Sequence, residues 1–193
     1  MSSTDPRLVR SRNKLLDGAT ALLVEGGADA VTVDAVSERS GVAKSTLYRH
    51  FPSRDDLLVE VLRHNMPQLE VDLDDCDFET GLRRWLREAY LSLMDPQWAR
   101  ILPALMALKL TVPDIDELTE ADRSVNLESL ETVLERGRAE GLLDADAEVD
   151  TVISLLVGPL LFAVLNDRAD ELPDLAEEVA VRFVASCRST TDR

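Results

Sequence analysis

A short run of the chain combines side chains that can donate hydrogen bonds to DNA. Lys44, Ser45, Tyr48 and Arg49 fall within six consecutive residues. A lysine ammonium can donate to O6 or N7 of guanine, and a serine hydroxyl can bond with either kind of base edge. We therefore predict that Lys44 and Ser45 read the DNA sequence, with Arg49 as a third contact.

Two short helices joined by a glycine turn must position these donors. Thr32 can cap the first helix by accepting a bond from an orphan amide, and we assign the anionic Asp34 to the same helix start. Gly41 can end that helix, because glycine tolerates a left-handed backbone. In the second helix, Leu47 and Phe51 lie four residues apart, on an apolar side opposite the donors. Such a helix-turn-helix places the N-terminal residues of its second helix against base edges in the major groove.

Three segments in this region carry a family resemblance. They are Thr32-Val33-Asp34, the run GVAKSTLYRHF from Gly41 to Phe51, and the run SRDDLL from Ser53 to Leu58. With them, residues 8–62 resemble the DNA-binding domain of TetR-family (tetracycline-repressor-like) transcriptional regulators. The resemblance implies an N-terminal three-helix DNA-binding domain, expected at 1–54, and a larger helical domain, expected at 55–193, that dimerises and encloses a small-molecule effector.

The resemblance also implies contacts that position the protein on DNA without reading bases. Residues at positions that commonly hold phosphates or the sugar edge in the family are Thr32, Thr46, Tyr48, His50 and Arg54. An N-terminal helix is predicted from about Arg7 to Glu25. For Tyr48, packing of the ring against this helix is the alternative. Its four basic residues, Arg7, Arg10, Arg12 and Lys14, either touch the phosphate backbone or form a solvated face.

The distribution of charge makes DNA binding compatible with an acidic chain. The net charge is −16, which by itself argues against nucleic acid as a partner. Residues 1–54, however, hold eight Lys or Arg against six acids, whereas residues 55–193 hold 13 bases and 31 acids. We expect the acidic part to face away from phosphate. A general solubility bias of the source is the alternative explanation of the acidity.

Other chemistries find little support in the composition. The two histidines, His50 and His64, have no carboxylate at metal-ligand spacing, and Cys76 and Cys187 lie far apart. We predict no metal site, no cofactor, no catalytic residues and two free thiols, with a redox switch as the alternative. No signal peptide is recognised, and the uncharged apolar run Thr151 to Leu165 is too short to span a bilayer. The expectation is a cytoplasmic protein without membrane contact.

Apolar residues at helical spacing continue along the chain, so we predict an all-α fold. A Ser53 and Asp56 capping box begins a helix that Met66-Pro67 ends, and the acidic stretch Glu70 to Glu79 reads as a linker. Further helices are predicted at Phe78 to Met94, Trp98 to Met106 with a kink at Pro103, Asp114 to Glu140, Val149 to Leu165 and Pro173 to Ser189.

The effector is expected to contact large or soft side chains of these later helices. The candidates are Trp85, Tyr90, Met94, Trp98, Met106 and Phe162. The alternative is that they belong to the hydrophobic core, as aromatic and methionine residues on helices often do. Because cationic residues are sparse among them, a neutral or cationic lipophilic ligand is favoured.

The last two helices are predicted to form the dimer interface. The segment from Val149 to Leu165 is apolar on every side, and a helix of this kind must be buried on every side. A second subunit would cover one face, and the resemblance implies a four-helix interface. We predict contacts by Leu156, Leu160, Val179 and Phe183, with a core helix of a monomer as the alternative.

Together these observations predict a homodimeric repressor that a small molecule releases from a palindromic double-stranded DNA operator. An activator or a ligand-independent repressor is the alternative within DNA binding. A helical small-molecule carrier or enzyme that retains a DNA-binding end is the alternative from another class.

Overall fold

The computed structural model describes residues 5–111, 115–144 and 146–191. Every regular element within these ranges is helical, which confirms the all-α prediction. The predicted start of the long helix at Asp114 lies outside the described residues. The α-helices are α1 Pro6–Gly26, α2 Val33–Ser40, α3 Lys44–His50, α4 Arg54–Asn65, α5 Phe78–Met94, α6 Pro96–Thr111, α7 Ile115–Ala139, α8 Val149–Leu165 and α9 Leu172–Thr191.

The chain divides into two compact units. The first comprises Met1–Met66 and Arg100–Ala121, and the second comprises Pro67–Ala99 and Asp122–Arg193. Helices α6 and α7 therefore contribute residues to both units. The boundary predicted after residue 54 separates a DNA-binding part from a part that binds the effector and dimerises, and it stays a prediction.

Helix α1 supplies the centre of the first unit. Its residues Leu15, Leu16, Ala19 and Leu23 are buried, and it packs against α2, α3 and α4. These positions recur every three or four residues, so they lie on one side of the helix. Burial of this side fixes α2 and α3 against a common support.

Helix α4 begins with the predicted capping box. The amide of Asp56 donates to Oγ of Ser53 (3.1 Å), and the amide of Ser53 donates to Oδ2 of Asp56 (2.9 Å). Two backbone donors at the helix start are thereby satisfied. The helix ends before Met66 and Pro67, as predicted.

Helices α5, α8 and α9 pack on one another in the second unit. The sequence predicted Leu156 and Leu160 to contact a second subunit, but both are fully buried within their own chain. The physical reason is that α5 and α9 already cover that side of α8. The outward side of α8 carries Leu155 and Phe162 instead, which are 58% and 64% exposed.

Within the described ranges, no helix is both long and apolar enough to cross a membrane.

Candidate nucleic-acid interface

The turn between α2 and α3 has the backbone that the sequence predicted. Oγ1 of Thr32 accepts a hydrogen bond from the amide of Ala35 (3.2 Å) and so caps α2. Gly41 has φ of 66°, in the left-handed region where glycine is favoured. The hydroxyl of Ser37 donates to the carbonyl of Val42 (2.6 Å), which ties the end of α2 to the start of α3.

Helix α3 has one buried and one exposed side. Leu47 is fully buried, and Phe51 just beyond the helix is 1% exposed. The opposite side exposes the predicted DNA contacts Lys44, Ser45, Tyr48 and Arg49, while Thr46 is half-buried. Tyr48 is 53% exposed, so about half of its surface is available to a partner.

Lys44 forms an ion pair that the sequence interpretation missed. Its Nζ contacts Oδ1 of Asp34, on the first turn of α2. The hydrogen bond to Asp34, followed by its charge, raises the pKa of Lys44. The sequence predicts a capping role for Asp34, but the oxygen that caps α2 belongs to Thr32, and the Asp34 carboxylate contacts Lys44 instead. Opposite charges on the first turns of consecutive helices were the signal that could have revealed this pair.

His50 is held against α1 by a residue with no motif signal in the sequence. Nε2 of His50 lies 2.8 Å from Oγ of Ser11, whose hydroxyl donates to the carbonyl of Leu8 (2.9 Å). Because the Ser11 hydroxyl donates to Leu8, its oxygen can accept a hydrogen bond from Nε2 of His50. Burial, followed by the charges of Arg12 and Arg49, lowers the pKa of His50.

The lowered pKa of His50 predicts a loss of stability in mild acid. Below about pH 6.5 the unfolded chain binds a proton at this residue more readily than the folded chain does. The free energy of unfolding should therefore decrease as the pH falls through about 6.5 and on toward the lower folded pKa. Urea unfolding across this range should show the decrease, and His50→Gln should remove part of it. An unchanged pH dependence in His50→Gln would contradict the assignment.

Arg54 is engaged inside the first unit, in addition to being a predicted phosphate contact. Its Nε donates to the carbonyl of Val31 (2.8 Å), and its Nη2 donates to the carbonyl of Ala28. Both carbonyls belong to the 3-10 turn Ala28–Ala30 and the residue after it, just before the cap of α2. Arg54 thus joins the start of α4 to the segment that positions α2.

Arg12 also has an internal role. Its Nη2 forms an ion pair with Oε2 of Glu60 on α4, and its guanidinium lies 5.6 Å from the centre of the Phe51 ring. A cation at this distance from an aromatic face is attracted to it. Arg12 therefore helps to hold α1, α4 and the end of α3 together, which the sequence did not predict.

The candidate effector residues are not brought together within one unit. Trp85 and Trp98 are buried in the second unit, and Nε1 of Trp85 donates to Oγ of Ser129 (3.1 Å). Tyr90 is half-buried, Met94 is 41% exposed, and Met106 belongs to the first unit.

Phe162 differs most from its predicted place in an apolar ligand cavity, since it is 64% exposed on the outward side of α8. The predicted dimer contacts Val179 and Phe183 on α9 are half-buried. Among the exposed large apolar side chains, Leu155, Phe162 and Leu165 lie on α8 and Val181 lies on α9.

The two cysteines have different environments. Cys187 is buried, and burial raises the pKa of its thiol. Cys76 is half-buried, and Nη1 of Arg136 lies 2.8 Å from its sulfur. Within the residues that the structure describes, no group of three or more His, Cys, Asp or Glu side chains is placed to hold a metal ion.

Comparison with known families agrees with this geometry. Residues 15–61 match the sequence model of the bacterial regulatory proteins of the tetR family, and residues 73–184 match that of the tetracycline repressor-like C-terminal domain. These matches cover more than half of the chain. The chain belongs to the TetR family of bacterial regulatory proteins.

Three relatives illustrate the similarity. The transcriptional repressor KstR of Mycolicibacterium smegmatis is 41% identical over 63 residues, which are 33% of this chain and 31% of that protein. The match to KstR thus spans less than a third of its length. The regulator AqdR of Rhodococcus erythropolis is 27% identical over 184 residues, covering 93% of this chain and 86% of AqdR. The structure of FadR from Bacillus subtilis in complex with stearoyl-CoA has a TM-score of 0.70 at 18% identity, covering 89% and 97% of the two chains.

Proposed function

We propose that this chain is a ligand-responsive transcriptional repressor that binds a palindromic DNA operator as a homodimer. The observation that carries the proposal is the exposed side of α3. It presents Lys44, Ser45, Tyr48 and Arg49, while the opposite side of the helix is apolar and buried. KstR and KstR2, to which the chain is similar, are named as repressors, which supports repression. The alternatives of activation and of repression without a ligand are separated by a promoter-reporter assay with and without candidate effectors.

The release of DNA requires two conformations with different spacing of the recognition helices. Half-sites one turn apart are separated by about 34 to 36 Å, and a ligand that prefers a conformation with another spacing weakens binding. A coupling of about 1 to 3 kcal/mol would lower DNA affinity roughly 5- to 150-fold. The effector is proposed to be a small molecule held by the C-terminal part, residues 55–193.

The second copy is proposed to pack on the outward sides of α8 and α9. Exposed Leu155, Phe162 and Leu165 on α8 and Val181 on α9 supply apolar area there. This proposal replaces Leu156 and Leu160 with neighbours on the same helix that face outward.

A gel shift with genomic fragments tests the proposed function. A fragment from beside the gene should be retained at moderate salt, while unrelated fragments of equal length are released. Because nonspecific binding is electrostatic, the comparison is repeated as salt is raised. A chain that retains no specific fragment under any of these conditions would not be a repressor of this kind.

Lys44→Ala should relax the sequence preference at one base pair. Loss of a lysine contact to guanine costs about 1 to 3 kcal/mol of discrimination, which is read from titrations on operators substituted at each position. The matched control is Lys14→Ala on α1, which removes the same charge and should affect all sequences alike. Equal losses on every sequence for Lys44→Ala would refute its role in reading bases.

A further inference from the structure

The first unit contains a cavity that is lined by no residue of α3. Its volume is about 610 Å³, and its walls are the end of α1, the 3-10 turn Ala28–Ala30, the start of α4 and the part of α6 from Arg100 to Leu108. Pockets that hold small ligands usually measure roughly 300 to 1,000 Å³. The cavity therefore has room for a small molecule, and every residue that lines it belongs to the same compact unit.

Two guanidinium groups line this cavity. Arg54 uses Nε and Nη2 to bond the carbonyls of Val31 and Ala28, and its Nη1 lies 3.8 Å from Oδ1 of Asp55. A guanidinium has five N–H donors, so Arg54 retains donors beyond these two hydrogen bonds. Arg100 is exposed, so its guanidinium is accessible to a ligand, and the one acid in the lining is Asp29.

The rest of the wall is largely apolar. Leu23 and Leu108, which are 1% and 4% exposed, line it together with Pro103, Ala104 and Ala107. Guanidinium groups match carboxylate and phosphate oxygens in geometry and charge, so the two arginines favour an anionic head group. The apolar wall favours a ligand whose remaining part is apolar.

We propose that this cavity is a binding site for a small anionic amphiphile, with its head group on Arg54 and Arg100 and its apolar body on Leu23 and Leu108. The site requires neither DNA nor an effector in the second unit. Since Arg54 also bonds the turn that precedes α2, the ligand contacts the segment that positions the helix-turn-helix.

Calorimetric titration of the full chain without DNA tests the site. The probes are decanoate and decyl phosphate, which share the apolar chain and differ in the anion, with decyltrimethylammonium as the cationic control. Saturable binding of at least one anion, with much weaker binding of the cation, is expected. Comparable binding of the cation, or no saturable binding of either anion, would overturn the proposal.

Variants locate the binding. Arg100→Gln should lower the affinity for the anion at least about tenfold, which is the effect of one lost hydrogen bond to a charged group. Ala107→Trp should fill the cavity and block binding. The control is Arg10→Gln, an exposed arginine of α1 that does not line the cavity. Circular dichroism verifies that each variant is folded. Unchanged affinity in folded Arg100→Gln would show that the probe binds elsewhere and would refute the assignment.

Amide chemical shifts give a second readout. Gly27, Ala28 and Asp29 line the cavity, so their signals should move on addition of the anion in wild type. The shifts should be absent in Ala107→Trp. Saturable binding without any movement of these three signals would contradict the location.

Discussion

Leu156→Asp is expected to prevent folding of the second unit. Leu156 is fully buried within its own chain, on a helix that packs against α5 and α9, so the carboxylate of an aspartate there would be buried without a partner. Loss of the packed side chain and burial of a charge together should cost more than about 4 kcal/mol, a large part of the stability of an ordinary domain. Circular dichroism and urea unfolding measure the loss.

Phe162→Asp is the matched control on the same helix and should behave differently. Phe162 is 64% exposed in the single chain, so the aspartate would be hydrated and the helix would stay folded. If α8 supplies the dimer contact, this variant should sediment as a folded monomer. A dimer of unchanged mass would exclude this side of α8 from the interface, and a native spectrum for Leu156→Asp would contradict its burial.

Leu156 and Phe162 lie on the same apolar helix but differ in exposure, and the sequence predicts the helix without predicting this difference. The sequence predicted α8 with its observed bounds, Val149–Leu165, because an apolar run of this length is longer than a typical strand and favours a helix. It could not tell which side faces its own chain, since both sides are apolar. Only the placement of α5 and α9 decides that Leu156 points inward.

The DNA-binding end was more predictable because its signals are local. The Thr32 cap, the Gly41 turn and the capping box at Ser53 depend on residues within a few positions of one another, and all three are present. The pairings of Asp34 with Lys44 and of Ser11 with His50 connect residues ten or more positions apart. Spacing alone does not encode such contacts, because they depend on how the helices cross.

Arg54 is the residue whose interpretation changes most, and its substitution gives the second large expected effect. The resemblance predicted a phosphate contact, in which case Arg54→Ala would lower affinity for every sequence and leave stability unchanged. The bonds to Val31 and Ala28 predict a loss of stability as well. Each bond from a charged donor is worth up to roughly 1.5 to 3 kcal/mol, and solvent exposure of the side chain reduces this, so we expect a total of about 1 to 2 kcal/mol.

Arg49→Ala is the control that separates a contribution to DNA binding from a contribution to stability. Arg49 is exposed on α3, so its removal should change stability by no more than about 0.5 kcal/mol while it weakens DNA binding. Arg54→Lys supplies the complementary test, because it keeps the positive charge but a single ammonium cannot reproduce the planar fork that reaches two carbonyls. If Arg54→Lys has wild-type stability and wild-type DNA affinity, the charge alone matters. If it unfolds at lower urea and also binds DNA more weakly although the charge is kept, as we expect, the bonds to the turn before α2 contribute to DNA binding.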